Sequence, residues 1–133
     1  DLEQVDDASF ATIGSSMTQS SGVFTFPETG LYLVTTHVRF GRGNPGDDTN
    51  CIMNLDVSSD GGSNYDTVGS ANASIAASTK EQQASQACYV NVTNTANIKI
   101  RFRQQFQNQS NVCIGSTNDN KTSFIFIRLG DSQ

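Results

Sequence analysis

A hydrophobic period of two residues limits the fold of this 133-residue chain more than any other feature. Apolar side chains recur at every second position in three segments, 31–40, 51–58 and 98–106, and occupy both sets of positions in a fourth, 122–129, whereas no stretch shows a convincing helical period. Alternation of this kind places successive side chains on opposite faces of a β-strand. Turn-forming clusters such as Pro27-Glu28-Thr29-Gly30 and Ser59-Asp60-Gly61-Gly62 separate the segments. The pattern predicts an all-β, two-sheet antiparallel sandwich.

The two faces of each predicted strand differ in how apolar their side chains are. In 31–40 the even positions, from Tyr32 to Phe40, form the core face, whereas the odd positions change from Leu31 and Leu33 to polar residues. In 51–58 the alternation directs one set of side chains inward, namely Cys51, Met53, Leu55 and Val57, and the other set outward, namely Ile52, Asn54, Asp56 and Ser58. Segment 122–129 is apolar on both faces, so we expect both of its faces to be covered.

Shorter strands are predicted at 23–26, 87–92 and 112–114, whereas the pattern between 64 and 86 fades into Ala, Ser, Gln and Gly. Long polar loops are predicted at 41–50 and 115–121. The length allows one domain over 1–133, with 1–9 as an N-terminal arm or linker. The absence of an internal repeat or boundary agrees with this.

The composition excludes several classes of partner. The chain has a net charge of −5 and a pI near 4.5, which argues against nucleic acid. Its longest apolar run is too short for a membrane span, so we expect no membrane insertion. The 16 Ser, 13 Thr, 12 Asn and 10 Gln against only 16% charged residues suit strands that expose neutral polar side chains to water.

Residues 21–40, SGVFTFPETGLYLVTTHVRF, carry a specific resemblance. They resemble the opening signature of the globular C1q domain, in the complement-C1q/tumour-necrosis-factor jelly-roll superfamily. The matching positions are Gly22, Phe24, Thr25, Pro27, Gly30, Tyr32, Val34, His37 and Val38. The aromatic and apolar run Ser123–Ile127 is similar to the closing strand of that family, but the Gly-Asp turn of the family is replaced by Asn94-Thr95-Ala96-Asn97.

The resemblance implies a compact homotrimer of jelly-roll domains in which one sheet of each subunit faces the threefold axis. The two-faced final strand agrees with that expectation, because its second apolar face needs a cover. A monomer with loops over a central strand is the alternative. The residues expected at the trimer interface and core are Leu31, Leu33, His37, Phe124, Ile125, Phe126, Ile127 and Leu129.

The ending Phe-Ile-Phe-Ile-Arg-Leu-Gly-Asp and the Asn/Ser/Thr/Gln-rich loops are similar to virion proteins of marine tailed phages, cyanophages among them. We expect no signal peptide, since no basic stretch precedes an apolar segment near Asp1. The odd number of cysteines, Cys51, Cys88 and Cys113, is typical of free thiols in a protein assembled in a reducing cytoplasm. The expected location is therefore a virion surface after assembly in the host cytoplasm, and the alternative is extracellular.

The sequence offers few residues for catalysis or metal binding. His37 is the single imidazole, and no Gly-x-Ser-x-Gly elbow or Cys-His spacing accompanies it, so we expect no enzyme. No cofactor is expected apart from calcium, which some members of the similar family bind. Carboxylates suit that ion, and the calcium-ligand candidates here are Asp47, Asp48, Asp56 and Asp60.

Three basic residues on one strand, Lys99, Arg101 and Arg103, could receive an anionic partner such as a carboxylated glycan or an acidic protein patch. The alternative is a solvated face paired with acids on a neighbouring strand. Tyr65 and Tyr89 are either sugar-stacking or ordinary sheet residues. Polar loops are expected to carry the binding surface, with these candidates: Asn44, Asp47, Asp48, Asp60, Asn64, Asn108, Asn118 and Asp119.

These features lead to two functional hypotheses. The first is a non-enzymatic trimeric domain of a virion, either a capsid decoration trimer or a receptor-binding fibre head, whose partners are itself and virion neighbours or a host surface glycan or protein. The second is a secreted C1q-like or lectin-like pattern-recognition module whose signal and stalk precede Asp1.

Overall fold

Nine β-strands make up the regular structure of this chain in a computed structural model, which describes residues 13–43, 48–76, 81–107, 110–116 and 119–133. Their bounds are β1 Thr18–Ser20, β2 Val23–Thr25, β3 Gly30–Gly41, β4 Asp48–Ser58, β5 Asp66–Ile75, β6 Glu81–Val92, β7 Lys99–Phe106, β8 Val112–Cys113 and β9 Ser123–Gly130. No helix occurs among these described residues. The arm expected at 1–9 lies outside them.

The strands form two antiparallel sheets. Sheet A has the order β1-β2-β7-β4-β5, and sheet B has the order β6-β3-β8, with β9 also pairing with β3. β3 lies at the centre of sheet B, because β6 pairs along its whole length on one side and β9 and then β8 pair on the other. The all-β prediction is confirmed, and two antiparallel sheets are compatible with a jelly-roll sandwich.

Aromatic side chains fill the space between the sheets. Phe102 of β7 stacks on Phe124 of β9, with ring centroids 3.7 Å apart and an interplanar angle of 18°. Phe24 and Phe126 extend the same cluster across the sandwich. The even positions of β3 are buried as predicted: Tyr32, Val34, Thr36, Val38 and Phe40. The core therefore contains one face of each long strand.

Small residues explain why the sequence pattern defines β5 and β6 poorly. Gly69 of β5 lies against Gln86 and Cys88 of β6, and a Cβ atom on Gly69 would lie 2.5 Å from the Cys88 sulphur. The edges of the two sheets thus meet through glycine and polar side chains instead of alternating aliphatic residues. A hydrophobic period cannot reveal such a strand.

The first positions of β4 correct the prediction of a long polar loop over 41–50. β3 continues to Gly41, and β4 begins at Asp48, whose exposed fraction is 1%. The outward positions of β4 also differ from solvated strand positions, because Asn54, Asp56 and Ser58 are all buried. Side chains of the neighbouring strands hydrogen-bond to Asn54 and Asp56, whereas Ser58 is bonded by the turn that follows β4.

Two polar side chains lie unpaired inside the sandwich. Thr36 is 1% exposed, and neither its hydroxyl nor the amide of Gln86 has a hydrogen-bond partner among the described residues. The register places Thr36 opposite Gln86 on β6 and Phe124 on β9. A buried hydroxyl without a partner retains the cost of its lost hydration.

The substitution Thr36→Val should therefore stabilise the protein, raising the free energy of unfolding by about 1 kcal/mol in urea titrations. Thr122→Val is the matched control, because the Thr122 hydroxyl donates to the Ile114 carbonyl at 2.8 Å and accepts from the Arg39 amide at 3.1 Å. That control should destabilise the protein. Destabilisation by Thr36→Val would show that the hydroxyl has a favourable partner in solution.

Candidate functional site

The outer face of sheet B is apolar and partly exposed. It comprises Leu31, Leu33, Tyr89, Ile125, Ile127 and Leu129, which we call the apolar face. Leu33 lies opposite both Tyr89 and Ile127 in the sheet. Ile125, Ile127 and Leu129 are 47–51% exposed and Tyr89 is 70% exposed. Contiguous exposed aliphatic side chains of this kind commonly mark an interaction surface.

The residues predicted for the interface and core separate into two groups. Phe124 and Phe126 point into the sandwich and pack on Phe102. Ile125, Ile127 and Leu129 lie on the other side of β9, on the apolar face. His37 is half-buried at the polar end of the outward positions of β3, opposite Ser85 and Ser123. β9 is thus apolar on both sides, but among the described residues nothing covers its outer side, which differs from the expectation that both of its faces are covered.

The outer face of sheet A carries a polar network around Asp56. The carboxylate of Asp56 is 2% exposed and accepts hydrogen bonds from the Nε atoms of Arg101 and Arg103, each at 3.1 Å. The hydroxyl of Thr67 donates to its other oxygen at 2.7 Å. The register of β4 with β7 and β5 brings these four residues together. We call Arg101, Arg103, Asp56, Thr67 and Tyr65 the arginine face.

Opposing effects determine the ionisation of Asp56. Burial by itself would raise its pKa, but the hydrogen bonds from Arg103, Thr67 and Arg101 outweigh it and lower the pKa below the ordinary value of 3.8. The carboxylate is therefore ionised at neutral pH. Charge-assisted hydrogen bonds of this type hold both arginines in fixed positions on the sheet.

Tyr65 lies over the first of these arginines. The Arg101 guanidinium carbon is 3.9 Å from the centroid of the Tyr65 ring, within the range of a cation–π contact. Tyr65 is one of the two tyrosines that the sequence offers for sugar stacking, and Arg101 occupies one side of its ring. Tyr89, the other, lies on the apolar face.

Lys99 differs from the two arginines. Its ammonium group donates to the Thr25 hydroxyl at 3.0 Å and to the Thr95 carbonyl at 2.9 Å. Lys99 therefore connects the turn before β7 to β2 through these two hydrogen bonds. The pairing of Arg101 and Arg103 with an acid on the neighbouring strand agrees with the alternative interpretation of this basic face.

The predicted calcium ligands do not converge among the described residues. Asp48 and Asp56 lie near opposite ends of β4, and no group of three His, Cys, Asp or Glu side chains in the described ranges could hold a metal ion. Asp60 holds the 58–64 turn: its carboxylate accepts from the amides of Asn64 and from the Ser58 hydroxyl. These hydrogen bonds lower the pKa of Asp60 to about 2. Asp47 lies outside the described residues.

Asp48 is buried instead of being displayed in a loop, which corrects its prediction as a binding-loop residue. It accepts hydrogen bonds from the Asn111 side chain and from the Asn50 amide, the latter at 3.0 Å. Asn111 also accepts from the Gly43 amide at 3.0 Å and so connects two distant segments. Sequence reasoning missed Asn111, because one Asn in an Asn-rich segment gives no signal of burial.

The remaining loop candidates have different positions. Asn64 belongs to the turn made by Asp60, and Asp119 is exposed beside Lys121, 3.9 Å from its ammonium group. Asn44, Asn108 and Asn118 lie outside the described residues.

The three thiols are not activated. Burial raises the pKa of Cys51 and Cys113 to about 11, with the Asp48 carboxylate adding to the effect at Cys51. Burial also raises the pKa of Cys88. Thiols with such pKa values are protonated at neutral pH and are poor nucleophiles.

Comparison of the sequence with protein-family models and with curated proteins finds no match. Among the described residues, no helix is long and apolar enough to cross a membrane. A function can therefore be proposed only from the geometry of the two outer faces.

The Asp56 network should contribute stability that depends on pH. Because the folded pKa of Asp56 lies below its ordinary value, this contribution is complete above about pH 4 and is lost as the pH falls through the folded pKa. At pH 7, Asp56→Asn should lower the free energy of unfolding by about 1–3 kcal/mol. The difference from the unmodified protein should shrink toward pH 2 in urea titrations.

Asp66→Asn provides the matched control, since it removes an exposed carboxylate at the start of β5. It should have little effect on stability at either pH. An Asp56→Asn difference that is the same at pH 7 and pH 2 would contradict the ionised network.

Proposed function

We propose that this chain is a non-enzymatic homotrimeric domain with a C1q/tumour-necrosis-factor-like jelly-roll fold, carried on the surface of a phage virion. In this proposal it is either a capsid decoration trimer or the head of a receptor-binding fibre. The observation that carries the proposal is the apolar face. It would be buried around a threefold axis by the equivalent faces of two further copies.

The composition of the apolar face supports self-association. Four aliphatic or aromatic side chains that are about half exposed or more, Tyr89, Ile125, Ile127 and Leu129, lie next to Leu33 on two strands that both pair with β3. Burial of such area stabilises by roughly 25 cal/mol per Å². A closed ring of three copies removes all three faces from water at once, and no face remains to propagate a fibre.

The acidic side chains and the thiols support a role in assembly and recognition instead of catalysis. The carboxylate of Asp56 binds two arginines, that of Asp60 holds a turn, and that of Asp48 binds Asn111. The thiols have raised pKa values. Each of the three carboxylates therefore has a structural use. The thiols are protonated at neutral pH, and the Asp48 carboxylate beside Cys51 raises the pKa of that thiol further, so none of the three is activated as a nucleophile.

The state of the cysteines favours the virion over the secreted alternative. Cys51, Cys88 and Cys113 are all free. Secreted domains usually pair their cysteines, whereas phage proteins fold in a reducing bacterial cytoplasm. Calcium binding by the aspartates is a separate proposal, and a melting temperature that a chelator leaves unchanged would contradict it.

A charge on the apolar face should dissociate the trimer. Ile127→Lys should convert the sedimentation coefficient at micromolar concentration from that of a trimer to that of a monomer, because a buried unpaired ammonium group is costly. Val68→Lys is the control: Val68 is 47% exposed, as Ile127 is, but it lies on β5 of sheet A.

The control variant should sediment as the unmodified protein does. Equal behaviour of both variants, whether both are trimers or both are monomers, would contradict a trimer interface on the apolar face. Circular dichroism of each variant verifies that the strands remain folded.

A further inference from the structure

We infer that the arginine face binds the carboxylate group of an acidic sugar, such as a uronic acid residue of a surface polysaccharide. The inference deepens the proposed function and rests on it for its biological setting. The site itself is formed within one chain. Its donors are the outer nitrogens of Arg101 and Arg103.

Both guanidinium groups retain N–H donors that have no hydrogen-bond partner among the described residues. Arg101 and Arg103 each use Nε to bind Asp56, and Arg103 also donates from one terminal nitrogen to Thr67 at 3.4 Å. Their side chains are 39% and 45% exposed. Guanidinium has five N–H donors in a planar fork that matches a carboxylate, so each arginine can bind Asp56 on one side and a second anion on the other.

The arginines are held in place before any ligand arrives. Asp56 anchors both Nε atoms from below, and Tyr65 covers one side of the Arg101 guanidinium. Because both residues stand on a paired central strand, little side-chain freedom remains to be lost on binding. Such preorganisation distinguishes this pair from isolated surface arginines.

The local charge is opposite in sign to that of the chain. Lys99, Arg101 and Arg103 contribute three positive charges on the outward side of β7, and Asp56 neutralises one of them from the adjacent strand. The chain as a whole has a net charge of −5. A positive surface within an acidic protein attracts an anion and orients it toward this face.

The surroundings favour a sugar over an acidic protein. The exposed side chains of Asn72 on β5 and Gln105 on β7 lie on either side of Ile52 of β4. Nearby, the Ser70 hydroxyl donates a hydrogen bond to Asn54 at 2.6 Å. Amide and hydroxyl groups of this kind match sugar hydroxyls. Among the described residues, the strongly exposed apolar side chains lie elsewhere, apart from Val68 at the sheet edge. A protein interface would require an apolar centre, which this face lacks.

The arginine face would remain open in the proposed trimer. It lies on the outer side of sheet A, and the apolar face lies on the outer side of sheet B, across the sandwich. Three copies would therefore present three equivalent sites away from the axis. A repetitive polysaccharide could engage several of them, which raises the overall affinity.

The inference can be tested by calorimetric titration of the full chain with oligogalacturonate, using the fully methyl-esterified oligomer as a matched uncharged sugar. The free acid should bind and the ester should not. Arg103→Gln should weaken binding by about ten-fold, because one charge-assisted contact is lost. Arg103→Lys keeps the positive charge but lacks the planar guanidinium with its paired donors, so it should also weaken binding. This second variant keeps the test valid if Arg103→Gln does not fold.

Lys121→Gln makes the same change of charge in the 119–121 loop and should leave affinity within about two-fold of the unmodified protein. The inference is overturned if the free acid does not bind at millimolar concentration, if the ester binds equally well, or if Lys121→Gln weakens binding as much as Arg103→Gln. Tighter binding of poly-glutamate than of oligogalacturonate would identify an acidic protein as the partner and would also overturn it. Light scattering on the same samples separates the two proposals, because a trimer that does not bind contradicts only the sugar site, and a monomer that binds contradicts only the assembly.

Discussion

The stacking of Phe102 on Phe124 between the two sheets is the contact on which the composition of both outer faces depends. Side chains alternate along a strand, so an inward Phe102 places Arg101 and Arg103 outward on sheet A. In the same way an inward Phe124 places Ile125 and Ile127 outward on sheet B. A shift of either strand by one residue would bury the arginines or expose the phenylalanines. One aromatic contact in the core therefore fixes the chemistry of both surfaces.

The outer faces of sheet A and sheet B differ in whether their side chains find partners within the chain. On sheet A the charges are only partly matched within the chain, since the single carboxylate of Asp56 binds both arginines and Thr67 completes its hydrogen bonding. A net positive charge and unused guanidinium donors therefore remain on this face. On sheet B the side chains are aliphatic or aromatic, and nothing within the described residues covers them. Such a surface would gain stability by association with other molecules, and the proposed function assigns the association to further copies of the chain.

The sequence predicts the parts of this structure in which hydrophobicity follows the strand period. β3, β4, β7 and β9 have alternating or two-faced apolar patterns, and each was predicted at nearly its observed position. β5 and much of β6 carry Ala, Ser, Gly and Gln in their place. Their strand character comes from pairing with β4 and β3, which a single-sequence pattern does not contain.

The sites depend on strand register, and register is not readable from one sequence. The basic positions of β7 were identifiable, and pairing with a neighbouring acid was one interpretation, but the choice of Asp56 follows from the alignment of β4 with β7. The burial of Asp48 depends on Asn111, which is 63 residues away in the chain. Long-range contacts of this kind are formed by the fold and leave no local signal.

The proposed trimer buries the apolar face of sheet B between three copies of the chain. Its mass in solution can be measured by light scattering of the unmodified protein over a dilution series through micromolar concentrations. A trimer gives a mass three times that of the 14.3 kDa chain, constant over the series. A mass of one chain at every concentration would show that the apolar face is not buried in this way.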